Sequence, residues 1–325
     1  MKLSVILCTH NPRAEFLQRT LEALRNQTLP KDQWEFLMID NASTVPLAGR
    51  VNLSWHPHAR HLHESKLGKL NAWLLGMREA RAEILLFVDD DNVLAPDYLE
   101  QAIAIGKEWP LIGAWGGSIA PEYETTLPEW VGTDVWRITV VEVKEDTWGN
   151  LREGYTLNPS IAPCGAGLCV RRAVAHKYIE RCQSNPFSIN LDRCGKGLGG
   201  YGDIDLVYCA LDLGMGMGKS TKLQLTHLIP ASRLTLDYFV RQAEGDAASN
   251  LLFRASRGLP LPQSQSMSWL QKARWFFHRV KNRVPRETYA IQKASIRGSQ
   301  RGFALLAELN QQNLNLQAPT SKYIP

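Results

Sequence analysis

The sequence predicts an α/β protein in which helices flank a mostly parallel central sheet. The first observation is a series of continuous apolar runs at 3–8, 34–40 and 84–88, which are typical of strands buried on both faces. The second is that helical patterns separate these runs, as in the amphipathic stretch at 13–27. Strands that alternate with helices form parallel sheets with right-handed crossovers.

The length and composition are those of a globular protein. The chain of 325 residues is long enough for one large or two moderate domains, and 44% of its residues are hydrophobic. We interpret residues 1–11 as a first strand, because their apolar run is too short for a signal peptide. No segment approaches the ~20 apolar residues of a membrane span. These observations predict a cytoplasmic protein, and no nucleic-acid partner is expected.

The middle of the chain differs in character from the N-terminal part. A shorter apolar run at 51–55 precedes a predicted helix at about 67–80. Residues 111–160 hold short apolar runs with many Gly and Pro, which predict small antiparallel strands and long loops. Tryptophans in this segment either pack in the core or stack on a sugar ring or base from a cleft wall; they are Trp115, Trp130, Trp136 and Trp148.

The C-terminal half reads mainly as helices. CGAGLCVRRAV at 164–174 indicates a turn, a strand and a helix, and a second helix is predicted at about 204–213. Beyond residue 230 the pattern is helical and increasingly basic. Residues 269–284 combine aromatic and basic side chains, so this helix either lies on an anionic membrane surface or packs on its own domain.

Three consecutive acids, Asp89, Asp90 and Asp91, follow the apolar run at 84–88. Because side chains alternate along a strand, we expect Asp89 and Asp91 on one side and Asp90, as a spacer, on the other. Adjacent carboxylates in a cleft favour a hard divalent cation, which in such a pair usually also binds substrate phosphates. The alternative is a polar turn whose last acids cap a helix that begins near Pro96.

Polar residues also follow the other predicted strands. Thr9 and Asn11 come after the first strand, and Asp40 ends the second. Ligands of parallel sheets bind beyond the carboxyl ends of the strands, so these residues and the three acids predict one shared cleft. Asp40 either accepts a hydrogen bond from a base or ribose there, or forms an Asx turn into the following residues.

Further along the chain, four more residues have the chemistry to complete such a site. Asp203 and Asp205 stand at a helix start, where an acid is either a general base or a cap. His227 is either a core residue or a neutral metal ligand beside carboxylates. Arg233 can pair with a leaving diphosphate.

Two glycine patterns are set aside. Gly195, Gly197 and Gly200 fit G-x-G-x-x-G, but no strand precedes them. GMGMGKS at 214–220 resembles a P-loop, yet Leu213 stands where the first glycine is required.

Seven short motifs together resemble the family 2 glycosyltransferases over roughly residues 1–245; in chain order they are VILCTHNPR, FLMIDNAST, SKLGKLNAW, FVDDDNVLAPDYL, GAGLCVRR, YGDIDL and THLIPASRL. The resemblance implies the GT-A fold, which is Rossmann-like, here with a helical C-terminal extension. It also implies a hexosyltransferase-type enzyme that builds a surface polysaccharide or glycolipid. Such an enzyme transfers a sugar from a nucleotide-diphosphate sugar, foremost a UDP-sugar, to a hydroxyl of a glycan or lipid-linked acceptor with inversion.

The resemblance also implies residue roles. Mn²⁺ or Mg²⁺ would bind to Asp91 and His227. The base would be Asp203, although Asp205 stays open because Gly202 replaces the acid that usually precedes the base. The residues expected around the nucleotide are Thr9, Asn11, Asp40, Lys69, Asp89, Asp90 and Arg233.

The expected organisation has three parts. Residues 1–110 would bind the nucleotide-sugar, 111–245 the acceptor, and 246–325 would form the basic helical extension. If the helix at 269–284 binds membranes, the protein would be peripheral on the inner face of the cell membrane. The alternatives are a sugar nucleotidyltransferase, for which CTHNPR lacks the usual basic glycine loop, and a catalytically inactive nucleotide-sugar-binding protein.

Overall fold

The computed structural model describes residues 1–150, 161–189, 191, 200–262 and 285–317. The helices are α1 (Ala14–Arg25), α2 (Lys69–Glu79), α3 (Tyr98–Glu108), α4 (Arg172–Ser184), α5 (Pro186–Ile189), α6 (Gly202–Asp212), α7 (Leu236–Ser256) and α8 (Arg286–Gln317). The strands are β1 (Leu3–Thr9), β2 (Trp34–Asn41), β3 (Ala59–Glu64), β4 (Ile84–Asp89), β5 (Asn92–Leu94), β6 (Ile112–Tyr123), β7 (Thr147–Gly149), β8 (Leu168–Arg171) and β9 (Gly216–Ile229).

All nine strands of the described residues join one sheet. Its order is β3-β2-β1-β4-β8-β6-β9-β5, and β7 also pairs with β9. Strands β1 to β4 are parallel, and β6 is parallel to β9, whereas β8, β5 and β7 run antiparallel to their neighbours. The predicted α/β class with a mostly parallel sheet is confirmed, since β1, β2, β3, β4, β6 and β9 run in one direction and β5, β7 and β8 run in the other.

The central position of β1 explains why its residues from Leu3 to Cys8, apart from Ser4, are apolar. Ile6 and Cys8 point into one apolar layer together with Trp73 of α2, and Val5 and Leu7 point into another. Helices α2, α4 and α6 cover the first face, and α1 and α3 cover the second. Because both faces are covered, every position in the strand is buried.

The register of the parallel strands brings their polar ends together. Thr9 lies opposite Asp40 across the β1–β2 pair, and Cys8 lies opposite Asp89 across the β1–β4 pair. The three strands therefore end at one edge of the sheet, as their sequences predict.

Three strands differ from the prediction for their segments. The run at 51–55 is a loop, and the strand of this region is β3 at Ala59–Glu64. β6 has 12 residues, so it is not a short strand between long loops, and β9, with 14 residues, forms where no strand was predicted. The glycine-rich start of β9 allows β7 to approach, because a side chain at Gly218 would collide with Trp148.

The C-terminal helices form a third apolar cluster. Phe239 of α7 and Ile291 of α8 pack there with Val131 from the 3-10 segment that follows β6. None of the described helices is both long enough and apolar enough to span a membrane. The predicted helix at 269–284 lies outside the described residues, and the domain boundaries at 110 and 245 stay predictions.

Candidate active site

A cavity of about 1300 Å³ opens beyond the carboxyl ends of β1 and β4. Small-molecule pockets usually measure ~300–1,000 Å³, so this one has room for a nucleotide and a further group. Its walls come from both the N-terminal and the C-terminal half of the described chain. The predicted site residues on these walls are Thr9, Lys69, Asp89, Asp90, Asp91, Asp203, His227 and Arg233.

The acidic turn differs from the strand geometry expected for it. β4 ends at Asp89, and the chain turns through the next two residues before β5 begins. Asp90 therefore does not face away, since it lines the cavity and accepts a hydrogen bond from the Thr9 hydroxyl. Burial and the neighbouring charge of Asp91 raise the pKa of Asp90 to about 7. Because β5 separates these acids from α3, they do not cap that helix.

Asp91 is the centre of a buried polar cluster. Its Oδ2 lies 3.4 Å from Nε2 of His227 and 3.1 Å from Nη2 of Arg233. Its Oδ1 accepts a hydrogen bond from the Asn92 side chain at 3.0 Å. Burial alone would raise the pKa of Asp91, but the hydrogen bond with His227 and the charge of Arg233 hold it well below its ordinary value. The carboxylate is therefore ionised at neutral pH.

The position between Asp91 and His227 is suited to a cation. Arg233 occupies it, because its Nη1 lies 2.9 Å from Nε2 of His227 while Nη2 contacts Asp91. Within the described ranges no group of three or more His, Cys, Asp or Glu side chains is placed to hold a metal. Asp91 and His227 stay the predicted ligands of a divalent ion, and its other ligands would be substrate oxygens or water.

Lys69 adds a positive charge beside the acidic turn. It is the first residue of α2, and its Nζ lies 2.9 Å from Oδ1 of Asp89. The ammonium also lies 5.0 Å from the ring centroid of Trp73. Both charged side chains are 30% exposed, so the pair contributes little to stability. Its consequence is to place a cation and an anion together on the cavity wall.

Asp203 presents its carboxylate to the cavity from the first turn of α6. Oδ2 accepts a hydrogen bond from the Gly165 N–H and Oδ1 one from the Ile204 N–H, each at 2.8 Å. A β-carbon at position 165 would lie 3.0 Å from Oδ2, so glycine there permits this close approach. These two N–H groups hold the carboxylate at the cavity wall, where it could meet an acceptor hydroxyl.

Asp205 does not reach the cavity, which corrects the expectation that it is an alternative base. Its side chain is 0% exposed and forms an ion pair with Arg257 at 2.6 Å and another with Arg181 at 3.0 Å. The Ser188 hydroxyl donates to it at 2.9 Å. Two residues along a helix point about 200° apart, so Asp203 faces the cavity while Asp205 faces the core.

Asp40 and Asn11 hold loops at the sheet edge, and neither lines the cavity. Both carboxylate oxygens of Asp40 accept backbone N–H groups of the loop after β2, including that of Leu47 at 3.0 Å. Burial raises the pKa of Asp40, but these hydrogen bonds bring it below its ordinary value. Asn11, with φ 47°, accepts the Thr44 N–H at 2.8 Å. Asn41 lies on the cavity wall in place of Asp40.

Sequence reasoning missed Lys219. This residue stands in the stretch set aside as a broken P-loop, but the stretch is part of β9 and Lys219 lines the cavity. It is 7% exposed, and burial lowers its pKa, while the nearby Cys164 raises it. Burial also raises the pKa of Cys164 to about 11, so this thiol is neutral. No sequence signal identifies Lys219, because its strand was not predicted.

The four tryptophans of the middle segment have different surroundings. Trp115 is fully buried, Trp130 packs on Phe239, and Trp148 stacks on another tryptophan. Trp136 is 55% exposed and lines the cavity. It therefore remains a candidate for stacking on a ligand ring.

The fold and the site together define an α/β protein with a ligand-binding cleft at the end of a parallel strand set. The sequence model of glycosyl transferase family 2 matches residues 4–178, which is more than half of the chain. The chain therefore belongs to glycosyl transferase family 2, as its motifs predict.

Individual relatives are more distant. The chain is 25% identical to hyaluronan synthase of Streptococcus pyogenes over 234 residues, 68% of this chain and 51% of that protein. It is 27% identical to the glycosyltransferase AglE of Haloferax volcanii over 135 residues, 38% of this chain and 44% of that protein. The chain thus spans about half the length of these relatives. The structural alignment with the crystal structure of S. aureus TarS 1-349 in complex with UDP covers 95% of this chain and 92% of that chain, with 16% sequence identity and a TM-score of 0.48.

Proposed function

We propose that this protein is an inverting glycosyltransferase of the hexosyltransferase type. It moves a sugar from a nucleotide-diphosphate sugar, foremost a UDP-sugar, to a hydroxyl of a glycan or lipid-linked acceptor. One observation carries this proposal: the carboxylate of Asp203 and the cluster of Asp91, His227 and Arg233 face the same cavity. Membership of the family supports the reaction class, and the name of the hyaluronan synthase relative supports a role in polysaccharide biosynthesis.

Asp203 acts as the general base in a single displacement. As the acceptor oxygen bonds to C1 of the donor sugar, Asp203 takes the proton of that hydroxyl and the bond from C1 to the diphosphate breaks. The acceptor hydroxyl becomes more acidic as it attacks, so the pKa of Asp203 need not be raised. The N–H groups of Gly165 and Ile204 hold the carboxylate in place. Attack from the far face inverts C1 and requires no covalent sugar–enzyme intermediate.

Positive charge on the cavity wall stabilises the leaving diphosphate. Arg233 can donate two hydrogen bonds to phosphate oxygens, and Lys69 contributes a second charge. Mn²⁺ or Mg²⁺ bound to Asp91 and His227 would supply Lewis-acid stabilisation of the same group. Of the residues expected around the nucleotide, Thr9, Asp89 and Asp90 line the cavity, and we propose that they contact the nucleotide directly. We assign Asn11 and Asp40 to the loops that shape the edge of the cavity.

The test is ligand-induced stabilisation of the intact chain. We would measure the melting temperature with UDP-glucose, UDP-galactose, UDP-N-acetylglucosamine and GDP-mannose, each with and without Mn²⁺. A ligand at about 100 times its Kd stabilises the native state by about 2.7 kcal/mol, which a thermal scan resolves. We expect at least one nucleotide-sugar to raise the melting temperature more with Mn²⁺ than without. If none does, the proposed donor class is wrong.

We also propose a cytoplasmic location with peripheral contact to the inner face of the membrane through residues 269–284. The support is compositional, since this segment combines aromatic and basic residues. Deleting residues 265–325 should then release the protein from vesicles that contain anionic lipid. If the intact chain does not sediment with such vesicles, the membrane contact is refuted.

A further inference from the structure

One face of α7 forms a polar stripe along the cavity. Four residues spaced four positions apart all line the cavity; this α7 stripe consists of Tyr238, Gln242, Asp246 and Asn250. Residues at this spacing stand above one another on a helix, so the stripe is continuous over about 18 Å.

The α7 stripe is connected to the residues that immediately precede Asp203. Asn250 donates to the Tyr201 hydroxyl at 2.7 Å, and Tyr201 stands two residues before Asp203. A β-carbon on Gly200 would lie 3.5 Å from Oδ1 of Asp246, so the same loop passes close to the middle of the stripe. The stripe therefore lies beside the carboxylate that would deprotonate the acceptor.

Gln242 has a hydrogen-bonding group without a partner. The side chain is 5% exposed, and its Nε2 donates to Oδ1 of Asp246 at 2.9 Å. Because a carboxylate only accepts, the amide nitrogen must face Asp246, and the amide oxygen is left without a partner. An unpaired buried polar atom costs about 1–3 kcal/mol, so a native structure that keeps one on a cavity wall points to a ligand that donates to it.

The charges along the α7 stripe are balanced. Asp246 contacts Nη1 of Arg137 at 3.4 Å, so the charge of this cation is paired, although its buried Nε has no hydrogen-bond partner. The guanidinium of Arg137 also lies 4.1 Å from the ring centroid of Trp136, which is the exposed aromatic residue of the cavity. An anionic group placed here would meet a carboxylate, whereas a ring with several hydroxyls and an apolar face would meet amides, a phenol and an indole.

We propose that the α7 stripe, with Tyr201 and Trp136, is the acceptor subsite, and that it binds an uncharged sugar ring at the end of a glycan. This inference rests on the proposed glycosyl transfer. Gln242 accepts a hydrogen bond from a sugar hydroxyl, Asp246 and Asn250 bind further hydroxyls, and Trp136 stacks on the ring. Gln242 is therefore a specificity-determining residue for the acceptor.

Saturation-transfer NMR on the intact chain with UDP and Mn²⁺ tests this directly. The neutral probes are the methyl glycosides of glucose, galactose, mannose and N-acetylglucosamine; the anionic probes are methyl glucuronide and glycerol phosphate. We expect at least one neutral glycoside to bind and neither anionic probe to do so. Gln242→Leu, which keeps the volume but removes the acceptor oxygen, should weaken that binding at least about fivefold. Gln292→Leu on the exposed surface of α8 is the matched control and should change nothing.

The outcomes separate this inference from the proposed function. If only an anionic probe binds, or if a neutral glycoside binds equally well to wild type and Gln242→Leu, the acceptor assignment is overturned. If no glycoside binds while UDP with Mn²⁺ still raises the melting temperature, the assignment also fails, but the donor site stands. If UDP with Mn²⁺ does not raise the melting temperature of the wild type, the proposed function itself is refuted instead. Asn250→Ala provides a second variant in case Gln242→Leu does not fold.

Discussion

Replacing Asp205 by Asn removes a negative charge from the core, whereas the same change at Asp203 alters only the cavity. The carboxylate of Asp205 is 0% exposed and is shared by Arg181 and Arg257, of which Arg257 is 3% exposed. An Asn at 205 leaves these two guanidinium groups short of their counterion. Arg257 keeps Asp212 at 2.6 Å, so the charge is only partly compensated.

Breaking a buried ion pair by removing one partner costs about 3–5 kcal/mol. A change of 1 kcal/mol shifts the melting temperature of a larger domain by roughly 2–4 °C, so Asp205→Asn should lower it by on the order of 10 °C. Asp203→Asn can keep one of its two backbone hydrogen bonds, and we expect a loss of only about 1 kcal/mol. Its turnover should fall by about 10²-fold or more, because general-base catalysis is lost.

The assay measures melting temperature, UDP-induced stabilisation and sugar transfer or donor hydrolysis for each variant at a temperature where all are folded. Asp212→Asn is the matched control, since it removes the partner of Arg257 that is 23% exposed and leaves Asp205 in place. Asp203→Asn should bind UDP normally and turn over slowly. If Asp203→Asn is active while a folded Asp205→Asn is inactive, the assignment of the base is wrong.

Two further predictions concern Asp91 and His56. Asp91→Ala should abolish the part of UDP stabilisation that depends on Mn²⁺, and an unchanged Mn²⁺ dependence in thermal scans would remove Asp91 from the metal site. Burial, with a smaller effect of the His58 and Lys31 charges, lowers the pKa of His56 to about 4. The stability that the neutral imidazole contributes is therefore complete above pH 6.5 and is lost as the pH falls towards 4. Between pH 7 and pH 4, the free energy of unfolding measured by urea titration should therefore fall by about 2 kcal/mol less in His56→Asn than in wild type. An equal fall in both proteins would contradict a buried neutral imidazole.

The N-terminal half of the fold could be predicted because each strand carries its own signal. The runs at 3–8, 34–40 and 84–88 are covered on both faces, so all their residues except Ser4, Glu35 and Asp40 are apolar, and this pattern can be recognised without knowing which elements pack on the strands. β9 has no such signal, since its first half is rich in glycine and becomes a strand only through pairing with β6 and β7. Tertiary pairing, rather than local preference, forms that strand.

The sequence could propose residues for the candidate site but not their geometry. The residue types of Asp91, His227 and Arg233 indicate a charged ligand, yet only the fold shows that Arg233 lies between the other two. The choice between Asp203 and Asp205 depended on arginines from α4 and from the end of α7. Partners so distant in sequence leave no trace in the local pattern around residues 203–205.

The buried charge cluster around Asp205 has a consequence for how such an enzyme can diversify. Arg181, Arg257 and Asp205 tie α4, α6 and the end of α7 into one unit, so the helix turn that carries Asp203 and the helix that carries the stripe share an anchor. Ser188, from the connection between α4 and α6, joins the same anchor, because its hydroxyl donates to Asp205. Residues outside this anchor can therefore vary without moving the turn that carries Asp203.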